Sequence, residues 1–362
     1  MRKKILYFMH IDWDWIKQRP HYIAEYLSKN YDVLIIYPYH MKRSQLTKNK
    51  RNNLKLRPFF YVPSIGKLKF NFLDRLFLKM YIYLTLKKFK PDCLWITFPD
   101  LYEFIPSNHN SKIIYDCMDD AGEFDKQNKI NSRRVNLEIK LIREASIVFV
   151  SSKNLMNTIN SREYCLNKTV LLRNAFGGNK LDIPSTNKPK IKNGTHKICY
   201  IGTVASWFDF NSLSFCVQNN ESIEFHIIGP IDVDIKNWSH KRIIFHGPLN
   251  HDKLHSFIKD FDCMIMPFKL NNLIMSVDPI KLYEYINYNK PIISVYYKEI
   301  ERFSKYVSFY SNQEELLNIV NGLINNGFFP KYNEKERDKL LYNNSWEIRV
   351  NKIKKVLEGM DE

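Results

Sequence analysis

The sequence predicts an α/β protein of two domains, each built on a parallel sheet. Three observations carry that reading. A chain of 362 residues exceeds what one hydrophobic core normally serves, and 44% hydrophobic content with 14% aromatics supplies apolar surface for two. Short apolar runs bounded by charge alternate with helical patterns, as parallel strands joined by crossover helices require. After a stretch without periodicity, the same alternation begins again.

Taken in order, Lys4–Met9 is a buried strand, and Pro20 suits the first turn of an amphipathic helix running to Leu27. Tyr31–Tyr37, Cys93–Thr97, Lys112–Cys117, Ile147–Ser151 and Thr169–Leu172 read as further strands, with helices such as Ile130–Glu144 between them. Residues 176–193 hold glycines, prolines and polar residues and make the linker candidate. Beyond it, strands are expected at Lys197–Ile201, Ile223–Ile228, Arg242–Phe245, Asp262–Met266 and Pro291–Val295, three of them running into Gly202, Gly229 and Gly247. An amphipathic helix, Ser345–Leu357, closes the chain behind Trp346. The expected divisions are an N-terminal domain at 1–178, a linker at 179–195, a C-terminal domain at 196–340, and a helix at 341–362 that crosses back. Two Rossmann-like domains of this kind predict a cleft between facing sheets, with ligands at the carboxyl ends of strands.

Composition narrows the classes. No run approaches the roughly eighteen apolar residues of a membrane span, and the N-terminus meets charge and aromatics too early for a cleaved signal. Six cysteines lie scattered in apolar runs with no C-x-x-C pair, the pattern of buried thiols in a reducing, cytoplasmic compartment. His251 and His255 have helical ligand spacing but lack the glutamate of H-E-x-x-H. Asp12-Trp13-Asp14 and Asp232-Val233-Asp234 match D-x-D by letters only, so no metal is expected.

The net charge of +17 is concentrated. Residues 42–90 hold fourteen basic residues against one acid, Asp74, which accounts for thirteen of the seventeen charges. Such a block suggests an anionic partner (nucleic acid, membrane surface or phosphorylated ligand), although a lysine-rich background would also produce it. A helix capped by Asn71 is expected to bury Leu73, Leu76, Phe77, Met80 and Leu84. Its other face mixes cations with Leu78, Ile82 and Leu86. Contact with an anionic bilayer through Arg75, Lys79, Ile82 and Lys87 is one reading of that face, and packing against another element explains its aliphatics equally well.

Three runs could carry chemistry. In Asn271–Tyr285, Asp278 suits an N-cap and Pro279 the first helical position, which places an anion-binding helix start there. Lys281 and Glu284 share one face; a lysine there can neutralise a diphosphate and a carboxylate can accept from a ribose diol, but an ordinary surface ion pair has the same spacing. In Tyr200–Asp209, Gly202 and Thr203 would let backbone and hydroxyl approach a phosphate. Neither G-x-G-x-x-G nor G-x-x-x-x-G-K-[ST] occurs, so the dehydrogenase and P-loop readings lose their main support. Asp116, Asp119 and Asp120 follow a buried strand. Grouped carboxylates raise one another's pKa, which suits a general base, with a capping cluster as the alternative. Arg19, in the first strand–helix loop, reads either as a phosphate or acceptor ligand or as a plain surface arginine.

These runs resemble the nucleotide-sugar glycosyltransferases of the two-domain GT-B fold (group 1 type). Within them the match is to the bacterial branch making teichuronic acids, capsules and exopolysaccharides, including the xanthan glucuronosyltransferase-like enzymes. The residues that carry it are HIDWDWIKQRPHYIAEYL near the start, YDCMDD at 115–120, YIGTVASWFD at 200–209, PFKLNN with DPIKLYEYI at 267–286, and SWEIRVNKI at 345–353. The resemblance covers almost the whole chain. It implies a nucleotide in the C-terminal domain, with Lys281 near the phosphates, Glu284 on the ribose, Gly202 and Thr203 along the diphosphate, and Asp278 and Tyr283 in the same binding set. It implies an aspartate base, Asp119 ahead of Asp116. The reaction it implies is metal-independent transfer from a nucleotide sugar, expected to be UDP-linked, to a lipid-linked glycan. The site of action would be the inner face of the plasma membrane, with no nucleic-acid partner. One departure matters: many relatives carry two glutamates eight apart, and the position eight before Glu284 is Ser276, which leaves the donor sugar open. Two rivals remain, a nucleic-acid-binding protein using residues 42–90 and a two-domain nucleotide-sugar epimerase that needs no acceptor. The sequence specifies no oligomeric state.

Overall fold

Short apolar strands and longer helices alternate along the chain and wind into two separate parallel sheets. The computed structural model describes residues 2–39, 53–60, 72–123, 129–181, 194–238, 240–249, 254 and 257–360. Asn71, the histidines His251 and His255, the centre of the candidate linker (182–193), and Lys42, Arg43, Lys48, Lys50, Arg51, Lys67 and Lys69 of the basic block lie outside those residues.

The first unit comprises Met1–Asn174 together with Trp346–Glu362. Its strands are β1 (Lys4–Phe8), β2 (Asp32–Pro38), β3 (Lys55–Phe59), β4 (Cys93–Ile96), β5 (Lys112–Cys117), β6 (Ala145–Val150) and β7 (Thr169–Leu171). They lie in the order β3-β2-β1-β4-β5-β6-β7, parallel throughout. Leu6, Phe8, Leu34, Ile36, Leu94 and Ile96 form the middle of its core. The closing helix, Trp346–Glu358, belongs to this unit: the Trp346 ring stacks on Tyr22 of the first helix at 5.3 Å and 10°.

The second unit is Ala175–Ser345. Its strands are β8 (His196–Ile201), β9 (Ile223–Ile228), β10 (Ile243–Gly247), β11 (Cys263–Met266), β12 (Ile292–Val295) and β13 (Ser308–Tyr310), again all parallel, in the order β10-β9-β8-β11-β12-β13. In both sheets strand order reverses beside the first strand, between β1 and β4 and between β8 and β11. Those are the switch points at which doubly wound sheets bind ligands.

Three expectations need correction. The first unit ends at Asn174, before the glycine-rich stretch expected to divide the domains. Asn174 is tied into the first unit by Arg19, whereas Phe176 already bonds to Asn344 and bridges Ser345 in the second. Strands β3 and β13 were not foreseen. Lys55–Phe59 is mostly exposed, carries two cations and includes Pro58, a composition tolerated because it is an edge strand.

The third correction concerns the helix Phe72–Phe89. Leu78, Ile82 and Leu86, spaced by four, pack into the core, while the stripe expected inside (Leu73, Leu76, Phe77, Met80, Leu84) is exposed. Ile82 therefore cannot contact a membrane. Among the described residues no helix is long and apolar enough to cross one.

Candidate functional site

In the second unit the loop after β8 and the helix Ile280–Asn287 meet. Gly202 adopts φ +155° and Gly229 φ +143°, a region L side chains rarely enter. The reason is close approach: a Cβ on Gly229 would stand 2.1 Å from the Gly202 carbonyl oxygen. Backbone bonds from Gly202 to Ile228 (2.8 Å) and from Gly229 to Gly247 (2.9 Å) hold the three strand tips together. The Tyr285 hydroxyl locks the helix to β8 through both the N–H (2.9 Å) and the carbonyl (3.3 Å) of Ile201. Sequence reading did not single out Tyr285; its place one turn after Lys281 is the only signal.

Lys281 lies along Gly202. A Cβ on that glycine would meet Lys281 Cε at 2.3 Å and Nζ at 2.8 Å, so the missing side chain is what admits the lysine. Among the described residues no carboxylate lies within ion-pair distance of its ammonium. Burial lowers the Lys281 pKa, and Glu284 acts in the opposite direction. Glu284, three residues on along the same helix, and Thr203, next to Gly202 in the loop after β8, are both half-buried. A partly desolvated cation at a strand tip and helix start is a site for an anion.

Two expected members of this set belong elsewhere. Tyr283 is fully buried, edge-on to Phe303 at 5.1 Å, with its hydroxyl accepting from Arg302 at 3.3 Å. Asp278 does not cap the helix; Pro279 occupies the cap position, and the buried Asp278 carboxylate pairs with Arg302.

In the first unit, three carboxylates expected to act as a cluster are divided among distinct partners. Asp116 is buried and paired with Arg19 at 2.6 Å. The same guanidinium donates to the Leu172 carbonyl (2.6 Å) and to Asn174 Oδ1 (3.2 Å), so Arg19 is fully engaged inside the unit. Neither residue can meet a substrate; together they join the first helix, β5 and the end of β7. Asp120 is held by Arg162 at 2.6 Å and accepts the Gly122 N–H at 2.9 Å. Arg162 in turn bonds the buried Glu138 at 2.6 Å, to which Tyr115 donates at 2.7 Å. Asp119 alone of the three has no ion pair or side-chain hydrogen bond among the described residues. It is half-buried, and loss of solvent is the main reason its pKa rises to about 6, with Asp120 adding and Arg19 opposing.

A second titratable group stands at the switch point of this sheet. His10, just beyond β1, shares a 2.7 Å hydrogen bond with the Thr97 hydroxyl at the end of β4 and stacks on Phe98 at 4.8 Å. Burial lowers its pKa to about 3, so the ring stays neutral. It opens the run His10–Leu27 but carries no motif spacing of its own. Among the described residues no group of three or more His, Cys, Asp or Glu could hold a metal ion.

No family model matches the chain. It is 24% identical over 219 residues to the "Putative teichuronic acid biosynthesis glycosyltransferase TuaH" of Bacillus subtilis (strain 168), a match covering 56% of this chain and 54% of that protein. The chain thus spans about half the length of this curated relative. Likeness of structure extends further. Sucrose-phosphate synthase from Thermosynechococcus elongatus aligns with 99% of both chains at a TM-score of 0.75 and 10% identity. Anabaena HepE in complex with UDP-glucose aligns over 98% of this chain and 99% of its own, with a TM-score of 0.68 and 14% identity. The fold is GT-B. In this GT-B chain the glycine-ended strands and the Lys281 helix form one candidate site, and the Asp119 turn in the first unit forms another.

Gly202→Ala is expected to cost about 1–3 kcal/mol, because alanine resists this backbone conformation, and also to displace Lys281. Chemical denaturation reads the first effect, and unchanged stability would mean that alanine fits this backbone.

Proposed function

We propose that this GT-B chain is a glycosyltransferase that moves a sugar from a UDP-sugar to a hydroxyl of a lipid-linked glycan in bacterial surface-polysaccharide synthesis. The observation that carries the reading is the Lys281 ammonium, partly desolvated, resting on Gly202 at the switch point of the second sheet, with no carboxylate in ion-pair range among the described residues. The name of TuaH supports the polysaccharide class, and the UDP-glucose complex of HepE supports the donor.

Each residue has a chemical task on this reading. Lys281 and the backbone N–H groups at the helix start and the Gly202 loop neutralise the diphosphate, with Thr203 lining it. Glu284 accepts from the ribose diol. Asp119 takes the proton of the acceptor hydroxyl while the hydroxyl oxygen bonds to the anomeric carbon. The bond from that carbon to the diphosphate oxygen breaks, and the electron pair leaves with the UDP, stabilised by Lys281. Charge neutralisation by lysine and backbone lets the leaving group depart without a metal. The lipid-linked acceptor places the enzyme at the inner surface of the plasma membrane.

A thermal-shift series with UDP, GDP, CDP and their sugars tests the donor assignment. UDP and UDP-sugars are expected to give the largest stabilisation. A flat response to every nucleotide would overturn the proposal. If UDP-sugars bind but are consumed without any acceptor, the two-domain epimerase reading takes its place.

A further inference from the structure

The exposed side of the helix Phe72–Phe89 has the composition of a docking surface. Leu73, Leu76, Phe77, Met80, Tyr83 and Leu84 are each between 41% and 62% exposed. They recur at the three- and four-residue spacing that places side chains on one helix face. The opposite side, Leu78, Ile82 and Leu86, fills the core, so this helix is apolar on both sides and, among the described residues, only the inner side packs against the core. Monomeric proteins rarely leave so many large apolar residues together in water.

Charge identifies the occupant. Lys79, Lys87, Lys88 and Lys90 are exposed on or beside this face, and the Lys87 ammonium sits over the Tyr83 ring at 4.6 Å. The one acid of the helix, Asp74, is half-buried at its start, and Arg75 is already paired with Glu103 at 2.8 Å. A second copy docking through the same face would bring two sets of lysines together. A nucleic acid would meet a row of leucines between the cations. An anionic bilayer satisfies both components, since headgroups neutralise lysines while the aliphatic and aromatic side chains enter the acyl boundary.

We propose that this helix face docks the protein on anionic lipid, with Leu73, Leu76, Phe77, Met80, Tyr83 and Leu84 inserting and Lys79, Lys87 and Lys88 on the headgroups. The inference deepens the reading of a lipid-linked acceptor and rests on it for its purpose. Of the lipid contacts expected from the sequence it keeps Lys79 and Lys87, and drops Ile82, which lies in the core, and Arg75, which is paired with Glu103.

The experiment is co-sedimentation of the full chain with phosphatidylcholine vesicles, with and without phosphatidylglycerol, alongside UDP thermal shift. The wild type is expected to bind only the anionic vesicles. Lys79→Glu and Lys87→Glu should each reduce binding at least about fivefold, and Phe77→Ser with Met80→Ser more than tenfold. All these residues are exposed, so each variant should keep its melting temperature and its UDP response. Equal binding to neutral vesicles, no vesicle binding by the wild type, or variants that bind as well as wild type would each overturn the proposal. So would a wild-type dimer that Phe77→Ser with Met80→Ser dissolves while vesicle binding persists. Loss of the UDP response with vesicle binding intact would instead count against the glycosyltransferase reading.

Discussion

Lys281→Met is expected to lower UDP affinity about 10- to 100-fold while leaving the unliganded protein as stable as before, or more so. The first part follows from removing the proposed charge-assisted contact to a diphosphate, of a kind worth about 1.5–3 kcal/mol. The second follows from the sign of the pKa shift. Burial lowers the folded pKa of Lys281 below its ordinary value, so at neutral pH the charged form is less favourable in the folded chain than in the unfolded one. That penalty is present wherever the lysine is charged when folded, and disappears as pH rises past the unfolded value. Methionine keeps most of the stem that packs on Gly202 and removes the charge. A structural lysine would behave oppositely, losing stability on substitution without affecting UDP. Titration calorimetry with UDP and urea denaturation read the two quantities; an unchanged UDP affinity would remove Lys281 from the site.

The strands of both sheets were legible because buried parallel strands are continuous apolar runs, and KILYF, KIIYDC and IEFHII admit little else. What escaped was decided by tertiary neighbours. Lys55–Phe59 has no apolar run, because an edge strand need not have one. The helix Phe72–Phe89 presents two apolar stripes, and periodicity cannot tell which one the sheet covers. Its Leu78, Ile82, Leu86 row proved to be the inner one.

The candidate sites divided in the same way. Gly202 and Lys281 were legible because a glycine after a strand and a lysine in the first turn of a helix have local reasons to be there. The fate of Arg19 was not, since its partner Asp116 is 97 residues away and the carbonyl it binds is 153 away. The sequence presents Asp116, Asp119 and Asp120 as equivalent carboxylates. Only packing sorts them, assigning one to Arg19, one to Arg162, and leaving Asp119 available.

That sorting gives Asp119→Asn a distinctive expected result. On the proposed function, transfer to acceptor should fall by about a hundredfold to ten-thousandfold, the usual contribution of a general base, while UDP binding, which that reading assigns to the other unit, is unchanged. In the wild type, transfer should rise with pH through about 6 as the carboxyl ionises. His10 cannot produce that limb, because burial holds its pKa near 3 and it is already neutral throughout the range. Stability should respond in the opposite sense. The folded pKa of Asp119 is raised above its unfolded value, so the folded chain favours the proton and loses stability as pH rises from about 4 through 6. The substituted asparagine, always neutral, escapes that loss; the variant should match wild type below pH 4 and exceed it above pH 6 by about 1 kcal/mol, since water on the exposed side screens part of the effect. A residue present for folding would show the reverse, stability lost on substitution and a pH profile left intact. If the limb near pH 6 survives in Asp119→Asn, the proton goes to another group and Asp119 is not the base.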